Sequence, residues 1–159
     1  MDQMEVSSWI ILIVVLMLAF SVAYAHKDSK QIVHVFHKNK APSLKALEQV
    51  NEVLTLYAKD YQVLYHDIED SSNLALIESF GLPETHFPIA VVIDGKFTMQ
   101  KDGRIASFVH FPDFMQGIGR HEGNWSVSDL EAALRDPSLL LKTSILPELG
   151  AEESEGECE

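Results

Sequence analysis

Between residues 31 and 136 the apolar positions switch repeatedly between two periods. Gln31-Ile-Val-His-Val-Phe36 is a short β-branched run and reads as a buried strand. Pro42 then falls where a first helical turn tolerates it. Leu44, Leu47, Val50, Leu54, Tyr57 and Tyr61 follow at three- and four-residue spacing, which predicts an amphipathic helix of about four turns. Residues 62–68 predict a second strand. Ser71 or Ser72 is placed to cap a short helix carrying Leu74, Ile77 and Phe80, which Gly81 stops. Ile89-Ala-Val-Val-Ile93 is apolar throughout and reads as a strand covered on both faces. Asp94-Gly95 and Asp102-Gly103 are hairpin turns, so an antiparallel meander runs through Phe97–Met99 to a strand over Ile105–His110. Ser126 with Asp129, or Ser128 with Glu131, opens a last helix whose Leu130, Ala133 and Leu134 face inward and which ends before Pro137. This order predicts an α/β domain.

The two ends depart from this pattern. From Val6 to Ala25 twenty residues carry no charge, enough as a helix to cross a bilayer's hydrocarbon core. Residues 1–25 are therefore expected to be a signal peptide or a transmembrane anchor, an N-terminal hydrophobic helix in front of the domain. Ala23-Tyr24-Ala25 fits a signal-peptidase site. Asp2 and Glu5 precede the segment, whereas Lys27, Lys30, Lys38 and Lys40 follow it, and the positive-inside rule then holds the following side in the cytoplasm. At the other end, residues 148–159 hold six glutamates and one bulky apolar side chain, the composition of a disordered acidic tail. The folded domain is expected over 26–147.

Within that domain, a strand, a proline-containing helix start, a second strand and a short helix ending in Phe80-Gly81 come first. His86-Phe87-Pro88 then leads into an apolar strand and Asp94-Gly95-Lys96. This order and spacing resemble the thioredoxin fold over roughly residues 30–136. The resemblance implies a central mixed sheet flanked by helices. In that register Asn39-Lys40-Ala41-Pro42-Ser43 stands where thioredoxins carry Trp-Cys-Gly-Pro-Cys, so both redox cysteines are missing and the proline between them remains. His34 stands at the family's buried acidic position. Phe87-Pro88 matches the pair ending in the family's cis-proline, whose preceding backbone pairs with an extended substrate. The resemblance thus implies a cis bond before Pro88, Phe87-Pro88 lying against Lys40–Ser43, and Lys40, Ser43, Phe87 and Pro88 as binding residues.

Composition narrows the chemistry. At 47% hydrophobic and 23% charged the chain is globular rather than low-complexity. With 12 Lys and Arg against 24 Asp and Glu, the net charge of −12 makes nucleic acid a poor partner. The single cysteine, Cys158, lies in the acidic tail, which excludes an internal disulfide, a CxxC pair and a cysteine-rich zinc site. Dithiol exchange needs a low-pKa thiolate and a second, resolving thiol, and Lys40 and Ser43 supply neither. Ser43 with His37 as base would lack both a Gly-x-Ser-x-Gly elbow and an orienting carboxylate. Of the seven histidines, His34 and His37 alternate to opposite faces of a strand and His66, His86, His110 and His121 are scattered, so no metal site and no cofactor is expected.

The most distinctive stretch is the fifteen residues Phe111–Trp125, long for a connection inside a compact domain. Its aromatic and Met side chains suit a satellite core tucked under the sheet. After that reading comes a partner surface, since aromatic, Met and Arg side chains are enriched at binding hot spots. Trp125, just before the last helix, is expected to anchor the loop, leaving Phe114, Met115, Arg120 and His121 to reach a partner. The reading is a membrane-tethered or exported binding, assembly or chaperone-like module without dithiol redox activity. Its partner is a protein or a membrane complex, with the membrane contacted through 6–25 and the domain on the extracytoplasmic side. The alternative is an enzyme, either a degenerate thiol oxidoreductase using Cys158 or a partner's thiol, or an unrecognised hydrolase.

Overall fold

The computed structural model describes residues 30–83, 87–113 and 123–147. The hydrophobic segment 6–25, the tail 148–159 and the loop residues Phe114, Met115, Arg120 and His121 lie outside them. Among the described residues no helix is long and apolar enough to cross a membrane. The described elements are β1 (Gln31–His37), α1 (Ala41–Leu56), β2 (Tyr61–Asp67), α2 (Leu74–Ser79), β3 (Ile89–Ile93), β4 (Thr98–Lys101), β5 (Arg104–Ser107) and α3 (Val127–Arg135). The chain is a mixed α/β protein.

β1 is central. It pairs in parallel with β2, with Val33 opposite Val63, and antiparallel with β3, with Val35 opposite Val91, giving the order β2-β1-β3. β4 and β5 form an antiparallel hairpin with Met99 opposite Ala106. The residues after β5 return to β3, where the Val91 N–H donates to the Phe108 carbonyl at 2.9 Å and Ala90 bridges Val109. Both hairpin turns have the backbone their sequences demand. Asp94 and Gly95 lie at φ 48° and 77°, and Asp102 and Gly103 at 52° and 79°. Positive φ at both central positions matches the right-handed twist of the flanking strands, and Asp-Gly tolerates it.

Alternation along the strands sorts two cores. Val33, Val35, Ile89, Val91 and Ile93 face α1 and α3, packing on Ala46, Val50 and Leu54 and on Leu130, Ala133 and Leu134. On the other face Phe36, Ala90 and Val92 meet Ile77 of α2 together with Leu82, Phe87 and Phe97. Because β3 is covered from both sides, all five of its residues are buried. After α3 the chain crosses β4 as a strap. Leu140 bridges Met99, the Leu141 N–H donates to the Thr98 carbonyl at 2.9 Å, and the Ile145 N–H donates to Thr98 Oγ1 at 2.8 Å.

Five local expectations are corrected. The α1 stripe is rotated, with Ser43, Ala46, Val50, Val53 and Leu54 buried while Leu44 is exposed. Tyr61 belongs to β2, because its hydroxyl donates to the Leu134 carbonyl at 2.9 Å and ties the strand's start to the end of α3. The cap before α2 is Asp70, which accepts from the Ser72 N–H and opens a 3-10 turn over Ser71–Asn73, so neither serine does the capping. The Phe87–Pro88 bond is trans. The strand expected over 105–110 ends at Ser107, where the Val109 N–H turns back to the Ser107 carbonyl at 2.7 Å, and His110 beyond it takes φ 69°.

Candidate functional site

Of the residues placed at the site by the sequence, Lys40, Ser43, Phe87 and Pro88 are described, and they belong to segments at the end of the sheet where β1 and β2 end and α1 begins. The Pro88 carbonyl accepts from the Lys38 N–H at 3.0 Å, which brings the start of β3 within two residues of Lys40. Lys40 is the extended residue before α1, and its side chain makes no cap. It reaches instead to Glu69, after β2, in an ion pair between two exposed side chains. A cation at the positive end of a helix dipole is unfavourable alone, and the Glu69 carboxylate beside it offsets this. Asp67 Oδ1 accepts from the Glu69 N–H at 2.9 Å, and the Asp67 carbonyl accepts from Asn73 Nδ2 at 2.9 Å, fixing the loop that presents Glu69.

The four described candidates differ in access. Lys40 is open to solvent, whereas Ser43 is 2% exposed and Phe87 and Pro88 are buried. Phe87 fills the α2-side core. A partner at this end of the sheet therefore meets Lys40, Asn39, Pro42, Leu44 and Glu69, all exposed. Charge, from Lys40 and Glu69, and exposed apolar surface, from Pro42 and Leu44, are what these groups offer. Among the described residues no three His, Cys, Asp or Glu side chains stand together to hold a metal.

The second candidate region is the loop between β5 and α3, whose base is closed by backbone hydrogen bonds. The Gly123 N–H donates to the Phe111 carbonyl at 2.7 Å and the Asp113 N–H donates to the Trp125 carbonyl at 2.8 Å. Trp125 anchors this neck as expected. Its indole is fully buried, Nε1 donates to the Val109 and His110 carbonyls at 3.2 Å each, and the Phe108 ring meets it edge-on at 5.5 Å. Asn124 Oδ1 accepts from the Ser107 N–H at 2.8 Å. Arg104 donates to the Asn124 carbonyl at 3.0 Å and to Asp129 Oδ1 at 2.5 Å. Asp129 also completes the capping box with Ser126 at the start of α3. Burial opposes its charge, but hydrogen bonds from Arg104 and Ser126 outweigh this and hold its carboxyl below the usual range.

A third group was not anticipated. His34 Nδ1 and His66 Nε2 lie 2.9 Å apart in a hydrogen bond between partly buried rings. The parallel register sets His34 opposite Leu64 and Phe36 opposite His66, so the two imidazoles share the α2 face on neighbouring strands. Phe36 stacks on His66 with centroids 4.8 Å apart, and Phe80, at the end of α2, lies 5.0 Å from His34. Burial, then His66, lowers the pKa of His34. Burial lowers that of His66 too, with Asn73 opposing and His37 adding to the fall. Even-numbered placement of both histidines on adjacent strands was the available signal, and only the pairing register makes it readable.

No protein-family model, curated protein or solved structure matches the chain.

Proposed function

We propose that this protein is a thioredoxin-like binding or assembly module that lacks dithiol chemistry, membrane-tethered or exported through its first 25 residues. One observation carries the reading. In a sheet ordered β2-β1-β3, the residue after β1, Lys38, is hydrogen-bonded to the residue before β3, Pro88, and the segment 39–43 that follows Lys38 into α1 holds no thiol. A junction of strand ends and a helix start is a common place for an α/β sheet to meet ligands, and this one offers charge and exposed apolar surface rather than a nucleophile. The loop from Phe111 to Trp125, its base clamped, supplies the second contact surface, and Phe114, Met115, Arg120 and His121 are the residues we assign to contact with a protein partner.

The full chain, purified with its N-terminal segment, is assayed for insulin reduction and glutathione exchange and used in native-state recovery of partners. We expect no thiol activity, and partner recovery that drops when Phe114 and Arg120 are both replaced by Ala while the fold is retained. Thiol activity abolished by Cys158→Ser would replace this reading with that of a thiol oxidoreductase. Partner recovery unaffected by the double substitution would restrict the loop to satellite core. Protease protection of the domain in intact membranes, with cytoplasmic markers shielded, would put it on the cytoplasmic side instead.

A further inference from the structure

We infer that His34 and His66 form a proton-operated latch, which holds α2 on the sheet at neutral pH and releases it when both rings are protonated. The two facing nitrogens, 2.9 Å apart, have room for one hydrogen between them. One ring donates and the other accepts. A first added proton is accommodated elsewhere on the pair, since the bond needs only one acceptor nitrogen, and the faces of Phe36 and Phe80 tolerate a single positive charge. A second proton puts N–H groups on both facing nitrogens. The bond then becomes a repulsion between two cations whose centroids are 5.1 Å apart.

Among the described residues no carboxylate pairs with either ring, and only the hydrogen bond of the Asn73 amide favours charge on His66. From β1, His37 adds a further ring that weighs against charge on His66. From β2, Asp67 has its Oδ1 engaged by the Glu69 N–H. From the 3-10 turn the group facing His66 is the neutral Asn73 amide. From α2 the group facing His34 is the Phe80 ring, while Glu78 is exposed to water. The lowered pKa of both rings agrees with a pair that resists charging.

Separation of the rings would act first on α2. This helix has six residues and only Ile77 among them is fully buried, so its attachment leans on the aromatic contacts of Phe80 with His34 and with Phe36 at 6.0 Å. Gly81 turns the chain out of α2, and it re-enters the sheet at Phe87-Pro88, the residues that close against Lys38. Release of α2 therefore bears on the junction at the start of α1. The latch makes access to that junction depend on pH, whichever molecule binds there.

Hydrogen exchange of the full-length chain, followed by mass spectrometry from pH 7.5 to 5 and corrected for the intrinsic rate, tests this. Segment 74–80 should lose protection by about tenfold for each unit by which a ring's pKa is depressed, while β3 keeps its protection. In His34→Gln and His66→Gln the loss should disappear, because an amide keeps a hydrogen-bonding partner without titrating. Unchanged protection of 74–80 in the wild type would overturn the latch, as would an equal loss in both variants. Should either variant fail to fold, the imidazole resonances of the wild type decide. Two separated titration steps are expected, whereas two independent rings titrating at the ordinary histidine value would refute it.

Discussion

Replacement of Trp125 by Ala removes the largest fully buried side chain of the described domain. The indole fills the space between the sheet and the base of the β5–α3 loop, against Phe108, and its N–H is shared by the carbonyls of Val109 and His110. Truncating a buried aromatic to Ala costs about 3–5 kcal/mol through lost burial and the cavity left behind. Two carbonyls also lose their donor, although solvent entering the neck would serve them in part. Against a total stability of about 5–15 kcal/mol for a typical domain, this is a large fraction. With a urea m-value near 2 kcal/mol/M the midpoint should fall by about 1.5–2.5 M. Far-UV circular dichroism is the suitable readout, since the other tryptophan, Trp9, lies outside the domain and would confuse fluorescence. Trp125→Phe, which keeps most of the ring but loses the N–H, should fall between the two. A shift below about 0.5 M for Trp125→Ala would mean that the neck is held by its backbone bonds and not by the indole, and the anchor assignment would be abandoned.

Two further outcomes follow from the same region. Asp129→Asn should destabilise the domain by about 1–2 kcal/mol at neutral pH, through the weakened cap and the lost partner of Arg104. The wild-type carboxyl is depressed in the folded state, so its contribution is complete above the unfolded value near pH 4 and lost as pH falls through the folded value; the stability–pH curve of Asp129→Asn should be flatter in that acid range. Gly123→Ala should cost about 1–3 kcal/mol, because a Cβ there would lie 2.5 Å from the Val109 carbonyl oxygen and 2.8 Å from Trp125 Cδ1. A Gly123→Ala midpoint equal to that of the wild type would show that the neck opens at little cost.

Local signals were legible wherever one residue type answers one geometric need. Asp94-Gly95 and Asp102-Gly103 specify turns that few other pairs could make, and Ser126 with Asp129 specifies a helix start. Trp125 announced its role by size and by its place before a cap. Harder to read was anything decided by pairing across the sheet. Leu44 looked inward by spacing, yet the face of α1 that meets β1 and β3 is set by Ala46, Val50 and Val53, whose smaller side chains let the helix approach the strands. His34 and His66 stand 32 positions apart, and no local pattern reveals that the parallel register brings their rings together. The backbone before Pro88 is another such case, since proline permits either isomer and the surrounding pairing selects trans.

The closed neck at Phe111, Asp113, Gly123 and Trp125 separates two evolutionary problems. Whatever sequence occupies 114–122 begins and ends at points already fixed by the fold, so its ends need not be brought together by its own contacts. For a flexible insert, doubling the length adds only about 0.6 kcal/mol of closure entropy. New residues can therefore be tried between Asp113 and Gly123, by selection or by a protein engineer grafting a recognition peptide, while Trp125 and the start of α3 keep the domain intact. Descendants of this chain would diverge fastest in length and composition at 114–122, with the four neck positions held constant around it.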